Sequence, residues 1–244
     1  MSDRGTEPLE HGHSHEEIRQ RLGSDHRLSY LRDWVYGGID GVVTTFAVAA
    51  GVAGANLSPQ IVLILGGANL LADGFSMAVA NYSGTKTEHE QYARLLAIEH
   101  KHIGVVPDGE REEIRQIFAS KGFDGENLER AVDVICADRN RWAQTMVLEE
   151  YGLSPVMRSP TKAGICTFTS FALFGSIPLI PYLLGGGLLS SAIATSAAFL
   201  LIGSLKSRWT FRSAWHSALE TLVIGGIAAI IAFAAGHFLA KLLS

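Results

Sequence analysis

The sequence predicts an all-α membrane protein: five transmembrane helices with a three-helix cytosolic insert between spans two and three. Three observations carry that expectation. Five stretches are almost uncharged, Trp34–Asn56, Ile61–Asn81, Ala163–Leu184, Leu188–Leu205 and Leu222–Leu239, each about 18 to 23 residues long, and about 20 helical residues cross a hydrocarbon core. Residues 84–160 are by contrast polar and charged. Basic residues are confined to alternate loops: Arg27 and Arg32 before span one, and Lys206, Arg208 and Arg212 between spans four and five. The loops "LSP" and "GGG" carry no charge, so the positive-inside rule assigns the N-terminus, the insert and the 206–217 loop to the cytosol. Lys241 alone dissents. The overall charge of −4 says little beside this local asymmetry.

In chain order, residues 1–30 form a polar tail in which His11, His13 and His15 alternate, a solvated segment or a weak metal chelator. It lacks an apolar core, so no secretory signal is expected. Residues 31–83 hold spans one and two, and 161–244 hold spans three to five. Pro178 and Pro181 interrupt span three, as a structural kink or as a break that lines a cavity. The insert, 84–160, reads as three helical pieces. The first leaves span two and runs to about His102. The second is capped by Asp108 and stops at Gly122. The third spans about Glu126 to Tyr151, ahead of Gly152. Ile114, Ile117, Phe118, Leu128, Val132 and Ile135 supply its core. Cys136 and Cys166 fall in different compartments, so no disulfide is expected. There is no internal repeat, no phosphate-cradling loop and no nucleotide fingerprint, and no nucleic-acid partner is expected.

Chemistry concentrates in two places. Asp33, Gly37, Asp40 and Thr44 lie near one face of span one, and Asn69, Asp73 and Met77 form a stripe on span two. A carboxylate inside a bilayer costs roughly 3 kcal/mol and marks an ion path more often than packing. Carboxylates with a thioether suit a borderline transition ion, and a carboxylate that alternates between cation and proton suits an exchanger. In the insert, Glu99 and His102 share one helical face, as do Glu110 and Glu113, and Met146 lies one turn before Glu150. Three helix ends could converge there on a metal ion. Glu99-x-x-His102 is half of a di-iron pattern whose second half is missing from the insert and the spans, which disfavours a ferroxidase.

"DWVYGGIDGVVTTFAVAAGVAGA", "LADGFSMAVANYSG" and "IPLIPYLL" resemble the vacuolar iron transporter family over roughly residues 30 to 243. The resemblance implies a homodimer of five-span subunits that exchanges cytosolic Fe(II) for protons, with the insert as a cytosolic metal-binding domain. Carried over, the pathway residues match Asp33, Asp40 and Met77, and the insert ligands match Glu99, His102, Glu110, Glu113, Met146 and Glu150. Three positions depart. His102 stands for a glutamate, Val147 for a second methionine, and Asn81 for the glutamate of a "GEY"-like motif. The insert site is expected to keep iron or manganese with altered selectivity, whereas Asn81 removes a charge near the cytosolic mouth.

The expectation is therefore a metal/proton antiporter, not an enzyme, that exports Fe(II) or Mn(II) from the cytosol through Asp33, Asp40, Thr44, Asp73 and Met77. Gly37 and Gly41 are expected to allow close helix contact and to help two subunits pack around a shared path. The alternatives are a membrane-anchored ferroxidase and a metal sensor without transport. The host membrane is the cell membrane in a prokaryote or the vacuole in a plant or fungus, and the lack of a sorting extension favours the first.

Overall fold

The computed structural model describes residues 12–23, 28–207 and 213–243, so His11, Arg27, Arg208 and Arg212 lie outside the described residues. Every described element is helical: α1 (His15–Gly23), α2 (Leu31–Gly54), α3 (Pro59–Val105), α4 (Pro107–Ser120), α5 (Gly125–Cys136), α6 (Arg139–Tyr151), α7 (Pro160–Gly175), α8 (Ile180–Leu183), α9 (Leu188–Ser207) and α10 (Ala214–Leu243). Five segments are long and apolar enough to cross a membrane: α2, α3, Pro160–Leu183, α9 and α10. Their outward faces expose Ile64, Leu71, Phe75, Ile193 and Ile230, as lipid-facing helices do.

Helix α2 is the axis of the bundle and packs against α3, α7, α9 and α10. Its contact with α7 depends on glycine. A methyl group at Gly37 would collide with the backbone carbonyl of Thr167, and one at Gly41 with that of Phe171. Both glycines thus allow the close helix contact expected of them, between α2 and α7 of one subunit.

At 47 residues, α3 is about 70 Å long, more than twice a hydrocarbon core. Gly84 does not break it, and the helix carries the membrane seam directly into the insert. Pro107 occupies the first turn of α4, so this helix starts one residue before the expected Asp108 cap. The third expected piece is two helices, because the Asp138 carboxylate accepts hydrogen bonds from the amides of Asn140 and Arg141 and starts α6 afresh. Ile103, Ile114, Val132, Trp142, Ala143 and Met146 form the insert core, with Ile117, Phe118, Leu128 and Ile135 packed on it. In the tail, Ser14 and Glu17 form a capping box that starts α1, a helix where only a polar tail was expected.

After α7 a single 3₁₀ turn, Ile177–Leu179, precedes α8. The carbonyl that the proline pair frees at Pro178 accepts a 2.7 Å hydrogen bond from the Ser191 hydroxyl of α9. At this carbonyl the partner is a protein hydroxyl.

Candidate metal path and insert cluster

The link between α2 and α3 is only residues 55–58, so the two helices run antiparallel and their polar stripes meet in register. Asp33 and Met77 line one cleft of about 370 Å³, together with Arg32, Tyr36, Ala80 and Asn81. Seven residues further along α2, about 10 Å deeper, Asp40 lies within electrostatic reach of Asp73, four residues back along α3. Asp40 is half-buried and Asp73 exposed on the single subunit. Thr44 donates its hydroxyl to the Asp40 carbonyl, a bond within its own helix. Asn69 has a buried amide nitrogen with no partner among the described residues.

Asp33 is only 3% exposed. Its carboxylate pairs with Arg158 at 2.7 Å, and Asn81 donates to it at 2.9 Å. Asn81 donates at the same time to the Thr167 hydroxyl at 2.7 Å and to the Ala163 carbonyl at 3.3 Å, which ties α3 to α7. The asparagine that removes a charge thus acts as a three-way clamp. Sequence reasoning missed Arg158, because no helical spacing links it to Asp33, 125 positions away.

The insert cluster forms where α3 ends, α4 begins and α6 ends. Ligand atoms of Glu99, His102 and Glu110 all lie within 4.8 Å of one another, slightly wider than the shell of an ion with ligands at about 2.1 Å. Glu99 and Glu110 are buried, and His102 is exposed with Nδ1 at 3.5 Å from Glu110. The second oxygen of Glu110 is buried without a hydrogen-bond partner among the described residues, a cost that an ion would relieve. Burial pushes the Glu110 carboxyl up to about 7, with Glu113 and Glu99 adding repulsion and His102 opposing it. Burial, then the charges of Glu150 and Glu99, raises Glu113 as well. Glu113 and Glu150 share an adjoining cavity of about 260 Å³ with Gln116 and Ile117.

Tyr151 was also missed. Its hydroxyl donates to Glu99 at 3.3 Å, and burial with the charges of Glu150 and Glu99 pushes it up to about 12. A tyrosine one residue past a predicted ligand carried no pattern of its own. Met146 is fully buried among Ile103, Ile114 and Trp142. Glu149 points elsewhere and pairs with Lys121 at 2.7 Å. Along α3 the cluster stands about 27 Å beyond Asn81.

A family model described as the VIT family matches residues 31–237. The chain is similar to Vacuolar iron transporter 1 of Eucalyptus grandis, with 33% identity over 228 residues, 89% of this chain and 92% of that protein. It is also similar to the Vacuolar iron transporter of Centaurea cyanus, with 34% identity over 208 residues, 83% of this chain and 85% of that one. Vacuolar iron transporter 1 of Arabidopsis thaliana shares 33% identity over 208 residues, 83% of each chain.

Proposed function

The chain belongs to the VIT family, and on that premise we propose that this multi-pass membrane protein moves Fe(II), with Mn(II) as a second substrate, out of the cytosol in exchange for protons. The observation that carries this reading is the register of the α2–α3 seam, where a carboxylate and a thioether line one cleft and two further carboxylates lie about 10 Å deeper. In hydrocarbon, Asp40 and Asp73 are tolerable only if a cation or a proton neutralises them, which is the alternation an exchanger uses. Asp33 and Met77 receive the ion, and Asp40, Asp73 and Thr44 pass it on.

The insert, 84–160, is cytosolic in this reading, since Arg32 and Lys206 sit at the same end as its attachment. Glu99, His102, Glu110, Glu113 and Glu150 capture metal there, with the Met146 thioether one turn from Glu150. The exposed Asp73 calls for cover by a second copy, so the working unit is a homodimer. The receiving compartment is one more acidic than the cytosol, as the vacuole in the relatives' names would be.

Anaerobic Fe(II) uptake into proteoliposomes, with and without a pH gradient, tests the proposal. Wild type is expected to take up iron when the gradient is present, and Asp40→Asn to lose uptake while the insert still binds metal. Wild-type vesicles with no flux, or an Asp40→Asn variant with undiminished flux, would sink it.

A further inference from the structure

Arg158 lies on the linker 152–159, which descends from the insert to α7. Its Nη1 donates to both oxygens of Asp33, at 2.8 and 2.7 Å, while Asn81 donates to one of them at 2.9 Å. The Arg158 carbonyl accepts from His89 Nε2 of α3 at 2.8 Å, and the next amide, Ser159, donates to the Tyr30 hydroxyl at 2.9 Å. The linker is thus fastened to the extension of α3 and to the residue that precedes α2.

We propose that Arg158 is a tethered counter-ion of Asp33, a positioning residue whose guanidinium competes with the metal cargo for the first carboxylate of the path. The cleft of about 370 Å³ reaches Asp33 and Met77, yet both Asp33 oxygens are already engaged. A divalent ion must take at least one of those oxygens, so it competes with a charge-assisted hydrogen bond and is repelled by the guanidinium charge. The other group bonded to Asp33, Asn81, is neutral and cannot replace the lost cation, and Arg32, which also lines the cleft, is exposed and makes no bond to Asp33 among the described residues. The guanidinium therefore holds Asp33 neutralised whenever the cleft is empty, and yields it as an ion arrives. Because the linker begins directly after Tyr151, a shift of the end of α6 on metal capture can be transmitted to Asp33 through six intervening residues, 152–157.

This inference rests on the transport reading above, and the test separates the two. Initial Fe(II) flux is measured against metal concentration in proteoliposomes of wild type, Arg158→Gln and Arg158→Lys. Removing the competitor is expected to lower the half-saturating Fe(II) concentration roughly tenfold, the weight of one charge-assisted hydrogen bond. Arg158→Lys, which keeps the charge but not the planar guanidinium, is expected to fall between the two. If half-saturation is unchanged and only the maximal rate drops, Arg158 is a structural strut and the inference is overturned. If Arg158→Gln leaves Asp33 uncompensated and does not fold, Arg158→Lys decides, and wild-type half-saturation in that variant overturns the inference. Wild type without flux overturns the transport reading itself.

Discussion

Glu110 combines three properties rarely found in one carboxylate: burial, an oxygen without a partner, and two acidic neighbours. Its pKa of about 7 lies above the value it has in an unfolded chain, so the folded protein holds this proton more tightly. Without metal, its contribution to stability is therefore complete at low pH and is lost as the pH climbs from about 4.5 to 7, at a cost on the order of 3 kcal/mol. Glu110→Gln abolishes that penalty. Thermal unfolding at pH 8 without metal is expected at a higher temperature in the variant than in wild type, whereas added Mn(II) should stabilise the variant far less. Metal uptake requires the ionised form, so wild-type Mn(II) affinity should rise steeply between pH 6 and about 7.5 and then level off, as calorimetry across that range would show. A flat affinity profile would remove Glu110 from the ligand set.

Helix α2 makes its closest approach to α7 through Gly37 and Gly41, and this places a prediction at the level of elements. Gly37→Val drives a side chain into the Thr167 backbone and is expected to cost several kcal/mol, read as loss of monodisperse protein in detergent. Gly67→Ala, where open space faces the helix, is expected to leave yield unchanged. The pattern of elements was largely legible from charge and apolar length: all five spans lie where uncharged stretches fall, with ends within about two turns except on α3, which runs on from Asn81 to Val105. The helix ends were less so. The α5–α6 break depends on one aspartate whose capping geometry competes with an otherwise continuous helical pattern, and Asp138→Ala should cost the insert about 1 kcal/mol in thermal unfolding. Of the site, the residues in helical register were readable: Asp40 near Asp73, and the Glu99, His102, Glu110 trio, whereas Met77, expected beside Asp40, shares a cleft with Asp33 instead. Arg158 and Tyr151 were not, because their partners lie 125 and 52 positions away and meet them only through tertiary packing.

For the molecule as a whole, the decisive fact is a charge in the wrong place. Asp73 is exposed on a span otherwise faced by Leu71, Phe75 and Val79, and leaving it against lipid costs roughly 3 kcal/mol. The span α3 is also the second least buried of the five, only α10 being less so. A second copy that closes over this face would remove the charge from lipid and seal the Asp40–Asp73 pair into an enclosed path. On α10, by contrast, the outer face carries apolar residues such as Ile230 and Ile231, which lipid satisfies unaided. The two faces therefore predict different cross-linking. Ser76 is exposed one turn from Asp73. With Cys136 and Cys166 replaced by serine, Ser76→Cys treated with a short bis-maleimide in membranes is expected to run at twice the subunit mass, and Ile230→Cys to remain single. The reverse pattern would put the subunit contact on α10, leave Asp73 facing lipid, and require the path to be completed within one chain.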